Sequence, residues 1–270
     1  MTHVSSADVD LRSGRVQIET QWVGSTDAET PLIVFLHEGL GSVSMWRDFP
    51  QRLCEAANCR GLVYSRPGYG RSTPRASTES WAPDFMHVQA HEMLPALLAA
   101  VDVDVNTTPP FLFGHSDGGS IALLYAARCP AALAGAIVLA PHIFVEEVSL
   151  RSIASARDAY VGGDLRPRLA RHHADPDSAF WGWNNAWLNP TFADWAITDE
   201  LAPITAPLLA IQGQGDEYGT LAQIRGIADR VPATTLLELP NCGHSPQRDQ
   251  PDAVVAAVAK FLAQHRVRAQ

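Results

Sequence analysis

At 270 residues, with 46% hydrophobic and 18% charged residues, the chain is long enough to bury a sizeable core and has no disorder signature. Its 20 basic against 29 acidic residues, a formal charge of −9, argue against nucleic acid as a partner. The opening "MTHVSSADVDLRSG" has neither a basic start nor an apolar run, "LAGAIVLAP" is far short of a membrane span, and Cys54, Cys59, Cys129 and Cys242 form no C-x-x-C pair, so the expectation is a soluble cytoplasmic protein with free thiols and no membrane partner.

The first predicted element is a hairpin, because "ADVDLRSGRVQIETQWVG" alternates apolar and polar residues on both sides of Ser13-Gly14. "PLIVFLHEG" is a continuous apolar run ending in glycine, the pattern of a strand buried on both faces. "MWRDFPQRLCEAAN" has helical spacing, "RGLVYSRPGYG" opens with a second buried run, and "DFMHVQAHEMLPALLAAV" predicts a longer helix kinked or interrupted at Pro95. "PPFLFGHS" is a third buried strand, and "GGSIALLYAARCP" a helix stopped by proline. "LAGAIVLAP", "APLLAIQGQGDEYG" and "TTLLELPNCGHS" supply three more strands, and "PDAVVAAVAKFL" a last helix with Pro251 and Asp252 in its first turn.

Apolar strands alternating with helices predict an α/β fold: a mainly parallel eight-stranded sheet, helices on both faces, the hairpin at one edge. Residues 142–201 break the alternation with no clear strand and four of the seven tryptophans. So long an insertion is usually functional. The expected organisation is a core of 1–141 and 202–270 with a helical lid over 142–201.

"GHSDGGS", residues 114–120, is the stretch that carries chemistry. It lies between a strand and a helix, so Ser116 sits on a sharp turn at the carboxyl edge of the sheet, with the helix's amide end pointing at it. Gly114, Ser116 and Gly118 match the G-x-S-x-G nucleophile elbow, whose glycines leave room for neighbouring elements to approach. A serine nucleophile needs a base, and the base an orienting carboxylate. Asp216 follows one buried strand and His244 the next, so both emerge on the same sheet edge as Ser116.

With "GHSDGG", the strand followed by "GQGD", "CGHS", "FLHEGLGS" and "YSRPGYGRS", the chain resembles the α/β-hydrolase fold family over nearly its whole length. The resemblance implies the order serine, aspartate, histidine and therefore Ser116, Asp216 and His244 as catalytic residues. Glu217, Glu146 and Glu147 are the rivals for the acid. Among the other histidines, His115 is locked beside the elbow, His37 braces a loop, and the pair His172-His173 lacks a carboxylate or cysteine at ligand spacing, so no metal is expected. The family's oxyanion hole uses the backbone N–H after the nucleophile and one from an earlier loop, which implies Asp117 and Gly39, with Leu40 the other candidate for the earlier donor. Glu38 departs from that pattern, standing where glycine is usual, and its carboxylate is expected to turn toward Arg66 or Arg71.

The implied activity is that of a serine hydrolase forming an acyl-enzyme on an ester, thioester or lactone, with no cofactor and a small molecule as its partner. Two alternatives stand beside it: a carbon–carbon bond hydrolase of ring-cleaved aromatic compounds, and a receptor-like member that only binds. The oligomeric state is left open, with a homodimer as one outcome. Trp181, Trp183, Trp187 and Trp195, with Phe180 and Phe192, are expected over the catalytic edge, so Glu38, Trp183 and Asn184 are candidate substrate contacts. Aromatic walls favour flat or branched apolar groups, and the expected preference is for these over long lipids and charged substrates.

Overall fold

The computed structural model describes residues 4–265. The hairpin forms as β1 (Val4–Leu11) and β2 (Gly14–Gly24), paired antiparallel with Leu11 opposite Gly14. β2 also pairs antiparallel with β4 (Arg60–Tyr64), and from there the sheet is parallel throughout. Its order is β1-β2-β4-β3-β5-β6-β7-β8, with β3 at Leu32–Leu36, β5 at Phe111–His115, β6 at Gly135–Leu139, β7 at Leu208–Gly213 and β8 at Thr234–Leu239. The α/β reading and the eight strands are both found.

Buried central strands read as unbroken apolar runs because each face has its own core. Leu32, Val34 and Leu36 of β3 point into one cluster, Ile33 and Phe35 into the other. Leu112 of β5 and Val138 of β6 join the first, Phe111, Phe113, Ile137 and Leu139 the second. The second face is closed by α1 (Phe49–Ala57) and α10 (Pro251–His265) through Leu53, Val254, Val258 and Phe261. The first is closed by α4 (Asp117–Arg128) and α8 (Ala222–Arg230), with Ile121, Leu124, Ile224 and Ile227.

One helix differs from its sequence expectation. The helix expected from Met45 begins at Phe49, preceded by a tight turn over Val43–Trp46, because Pro50 fits only a first turn. The stretch expected to be kinked or interrupted at Pro95 is interrupted just before it, as α2 (Phe85–Val88), a wide π turn (Gln89–Met93) and α3 (Leu94–Ala100). Pro95 has no N–H to give and its ring pushes back the carbonyl of His91, which opens the turn before it.

Between β6 and β7 the chain leaves the sheet after Ala140, which has φ +44°. It then forms α5 (Glu147–Gly162), α6 (Leu165–Leu169) and α7 (Pro176–Trp187), with an isolated bridge between Phe144 and Ala196 and no strand of its own. α7 starts where Asp175 accepts the N–H of Ser178 at 2.9 Å and Pro176 fills the first turn. Phe180, Trp187 and Phe192 are fully buried, so much of the aromatic content of this segment serves its own packing.

Candidate active site

β5 ends in a turn that only small residues permit. Ser116 has φ +52° and ψ −120°, a conformation L side chains rarely adopt. A methyl on Gly114 would lie 2.2 Å from the carbonyl oxygen of Gly118, and one on Gly118 would lie 2.1 Å from that of Leu36. The turn is thus squeezed between β3 and its own helix, and the serine is what remains projecting at the sheet edge.

β7 and β8 deliver the other two side chains. His244 Nε2 stands 3.0 Å from Ser116 Oγ, and His244 Nδ1 2.8 Å from Asp216 Oδ1. Asp216 is fixed in turn: Oδ1 accepts the N–H of Tyr218 at 2.8 Å and of Gly219 at 3.2 Å, and Oδ2 accepts from Gln212 at 3.0 Å. Burial alone raises the Asp216 carboxyl pKa, but the hydrogen bond and charge of His244 and the N–H of Tyr218 outweigh it and hold it below its ordinary value. The rival carboxylates are engaged elsewhere. Glu146 accepts from Thr220 and Gln223, Glu147 is exposed and pairs with Arg151, and Glu217 accepts the backbone N–H of His244 at 3.1 Å.

The loop after β3 faces Ser116 across a cavity of about 220 Å³ whose wall includes Gly39, Leu40, Asp117, Trp183 and His244. Among the described residues no acceptor takes the N–H of Gly39, Leu40 or Asp117. The loop is held from behind. His37 Nδ1 donates to the carbonyl of Glu38 at 2.7 Å, and Arg66 donates to the same oxygen at 3.0 Å. Arg66 is buried, lies 4.7 Å over the ring of Tyr69, and pairs with Asp117 at 3.6 Å. One guanidinium therefore ties the loop after β3 to the start of α4. Burial raises the Asp117 carboxyl pKa against the pull of Arg66 and of Trp187, whose indole N–H donates to it at 3.1 Å.

Glu38 does not turn to Arg66 or Arg71, as its sequence context suggested. Arg66 takes the Glu38 backbone, and the carboxylate lies 3.4 Å from His115 Nδ1, against Gly41. Burial works against its ionisation, yet the hydrogen bond and charge of His115, with His37, bring its pKa down to about 2. His115 donates from Nε2 to the carbonyl of His244 at 2.7 Å, so the residue before the serine braces the backbone of the histidine facing it.

The segment 142–201 contributes His142, Ile153, Trp183 and Trp187 to the cavity wall. Trp183 lies so close over the loop after β3 that a methyl on Gly39 would sit 2.1 Å from its indole nitrogen. Asn184 does not reach the cavity: it is fully buried, donating to the carbonyl of Ile153 at 2.9 Å and accepting from Arg157 at 3.0 Å. Turned toward α5 and hydrogen-bonded there, it is a packing residue. Trp181 packs edge-on against Tyr160 and Phe180, and Trp195 stacks on Phe192. His173 is spent on the backbone, accepting from Gly70 at 2.9 Å and donating to Leu40 at 3.0 Å, while His172 meets Ser44.

Two neighbours of His244 were missed from sequence. The ring of Tyr218 lies 4.7 Å from its imidazole and that of His142 5.9 Å away. His142 is buried, has a pKa brought down to about 3 by burial and by the nearby charge of His244, and among the described residues its Nδ1 has no hydrogen-bond partner. The signal existed, since His142 follows β6 as directly as His244 follows β8.

An eight-stranded sheet of this order, with a serine on a strained strand-to-helix turn facing a histidine and an aspartate from the next loops, defines the α/β-hydrolase class. The family model for the alpha/beta hydrolase family matches residues 33–257, and the chain belongs to that family of hydrolytic enzymes. It is 25% identical to 2-succinyl-6-hydroxy-2,4-cyclohexadiene-1-carboxylate synthase of Enterobacter sp. (strain 638), over 86% of this chain and 92% of that one. In three dimensions it is similar to a thermophilic esterase from Thermogutta terrifontis, with a TM-score of 0.75 and 19% identity over 98% of this chain and all of the other. A meta-cleavage product hydrolase from Pseudomonas fluorescens IP01 has a TM-score of 0.71 and 15% identity over 96% of this chain and 98% of its own. Among the described residues no helix is long and apolar enough to cross a membrane.

Proposed function

We infer that the protein is a serine hydrolase that cleaves a small-to-medium ester, thioester or lactone through an acyl-enzyme. The observation that carries this reading is the unbroken chain from Asp216 through His244 to Ser116, at 2.8 and 3.0 Å, on the floor of a cavity. His244 takes the hydroxyl proton as Ser116 Oγ bonds to the substrate carbonyl carbon. Asp216 holds the imidazolium, and the negative charge on the carbonyl oxygen is met by the N–H groups of Asp117 and Gly39. The proton then passes from His244 to the leaving group, and a water activated by the same imidazole releases the acid. Segment 142–201 acts as the lid of this site, with Trp183 pressed against the donor loop.

Reaction with a fluorophosphonate, followed by peptide mapping, tests the assignment. Ser116 is expected to carry the label alone, and Ser116→Ala to fold normally while losing turnover of ester, thioester, lactone and ring-cleavage substrates alike. Labelling elsewhere, or near-wild-type turnover by Ser116→Ala, defeats it.

A further inference from the structure

Beside the cavity over Ser116 lies a larger one of about 460 Å³. The two share Glu38, Leu40, Ser245 and Arg248 in their walls, so they adjoin, a narrow end over Ser116 and a wide end beside it. The wide end runs between α1, α6 and α9 (Pro246–Asp249), over a partly apolar floor that includes Met45, Trp46, Phe49 and Leu169. Its rim carries five arginines, Arg47, Arg52, Arg168, Arg171 and Arg248, against the carboxylates of Glu38 and Asp48.

Three of these cations have partners: Arg52 with Asp252, Arg168 with Asp164 at 3.7 Å, and Arg248 with Asp249 at 3.3 Å. Among the described residues no ion pair holds Arg47 or Arg171. Both lie near His172, whose imidazole pKa is held below the usual range first by partial burial and then by the charges of Arg47 and Arg171. Two guanidinium groups without an ion pair, on the wall of a concave and partly apolar surface, attract anions. Guanidinium forks match the oxygens of a carboxylate or phosphate.

We propose that the wide end binds the anionic end of the substrate, a carboxylate or phosphate carried on a spacer, while the acyl carbon of the same molecule sits at Ser116. The proposal rests on the serine-hydrolase reading and reverses the expectation that charged substrates are disfavoured. The depression is electrically polarised along its length. Glu38, ionised, stands where the two ends join and repels a negative group next to the scissile carbonyl. Arg47 and Arg171 attract the same group farther out. Selection therefore falls on where the charge sits in the molecule as well as on its sign, and the apolar floor takes the methylene spacer.

Matched substrates test this. One pair is the p-nitrophenyl ester of hexanoic acid and the mono-p-nitrophenyl ester of adipic acid. The other is hexanoyl N-acetylcysteamine and hexanoyl-coenzyme A. In at least one pair the anionic member should have kcat/KM about tenfold higher, mainly through KM, the gain expected of a charge-assisted hydrogen-bonded pair. The pair that shows it distinguishes carboxylate from phosphate. The advantage should shrink as salt rises from about 0.05 M to about 0.5 M. It should also be lost in Arg47→Gln/Arg171→Gln, while the neutral member changes less than about twofold. Melting temperature verifies that the double variant folds, and Arg171→Gln alone serves if it does not. Equal kcat/KM within both pairs in wild type, or an equal fall of both members in the variant, overturns the anion site and leaves the hydrolase reading intact. Calorimetric binding of the anionic members to Ser116→Ala, lost in the added arginine variant, with no turnover of any substrate by wild type, leaves the anion site and defeats the hydrolase reading.

Discussion

The two walls of the cavity over Ser116 are built on different principles. The sheet-side wall is built on the turn at Ser116, the loop after β3 and the loops after β7 and β8, pinned by hydrogen bonds and, at the Ser116 turn and the loop after β3, by glycines with no room for a methyl. The opposite wall is side chain: His142, Ile153, Trp183 and Trp187, presented by a strandless segment whose rings pack mostly on one another. The first wall fixes atoms to within the tolerance that bond-making needs. The second fixes only shape and polarity, so it can vary without disturbing the chemistry.

The sharpest way to break this contrast is to remove from the rigid wall the imidazole proposed as the base. His244→Ala should lower kcat by about 10⁴-fold or more with little change in KM or melting temperature, since such groups act as a unit. Asp216→Asn should cost somewhat less, and full activity there combined with loss in Glu217→Gln would move the acid. Steady-state kinetics on one chromogenic ester decides both.

Glycines compare the walls directly. Gly118→Ala forces a methyl against the Leu36 carbonyl and should destabilise by about 1–3 kcal/mol, the usual cost of overpacking. Gly162, at the end of α5 with nothing within 4 Å of an added methyl, should accept alanine with a gain of about 0.5–1 kcal/mol. Denaturant melts on the two variants measure the difference, and similar values for both would mean the rigid wall is not rigid.

A smaller effect is expected from the aromatic wall. Trp183→Ala should raise KM for aromatic esters by about tenfold and for acetates of small alcohols by less, because an aromatic pair contributes roughly 0.5–1.5 kcal/mol beyond burial. A fall in kcat common to both would instead assign Trp183 to supporting the Gly39 loop.

The smallest effect concerns Glu38 and depends on pH. Its folded pKa of about 2 lies below the ordinary 4.5, so its contribution to stability is present above 4.5 and disappears as pH falls toward 2. Glu38→Gln should therefore melt a few degrees below wild type at neutral pH, and the gap should close between 4.5 and 2. A gap independent of pH would show that shape and not charge matters at this position.

What was readable in the sequence follows the same division. Strand and helix periods, the glycines around Ser116 and the residues just past each strand are local signals, and from them came the sheet, the edge it presents and the three side chains that meet there. Asn184 and the partner of Glu38 were misread because both depend on packing between elements far apart in sequence. The amide of Asn184 faces α5 because of how α7 is rotated, which no local pattern states. The arginine rim was invisible for the same reason: Arg47, Arg171 and Arg248 come from three separate regions and meet only in the fold.

The conformation of Ser116 has a consequence for how this protein ages under mutation. A non-glycine residue at φ +52° carries roughly 1–3 kcal/mol of unfavourable backbone energy. Glycine adopts that geometry freely, so Ser116→Gly removes the hydroxyl proposed as the nucleophile and relaxes the turn in a single change. Stability and reactivity are thus opposed at one codon. In a lineage released from selection on activity, drift at this position runs downhill in free energy, toward a chain that keeps its sheet and its cavity and has lost the proposed nucleophile.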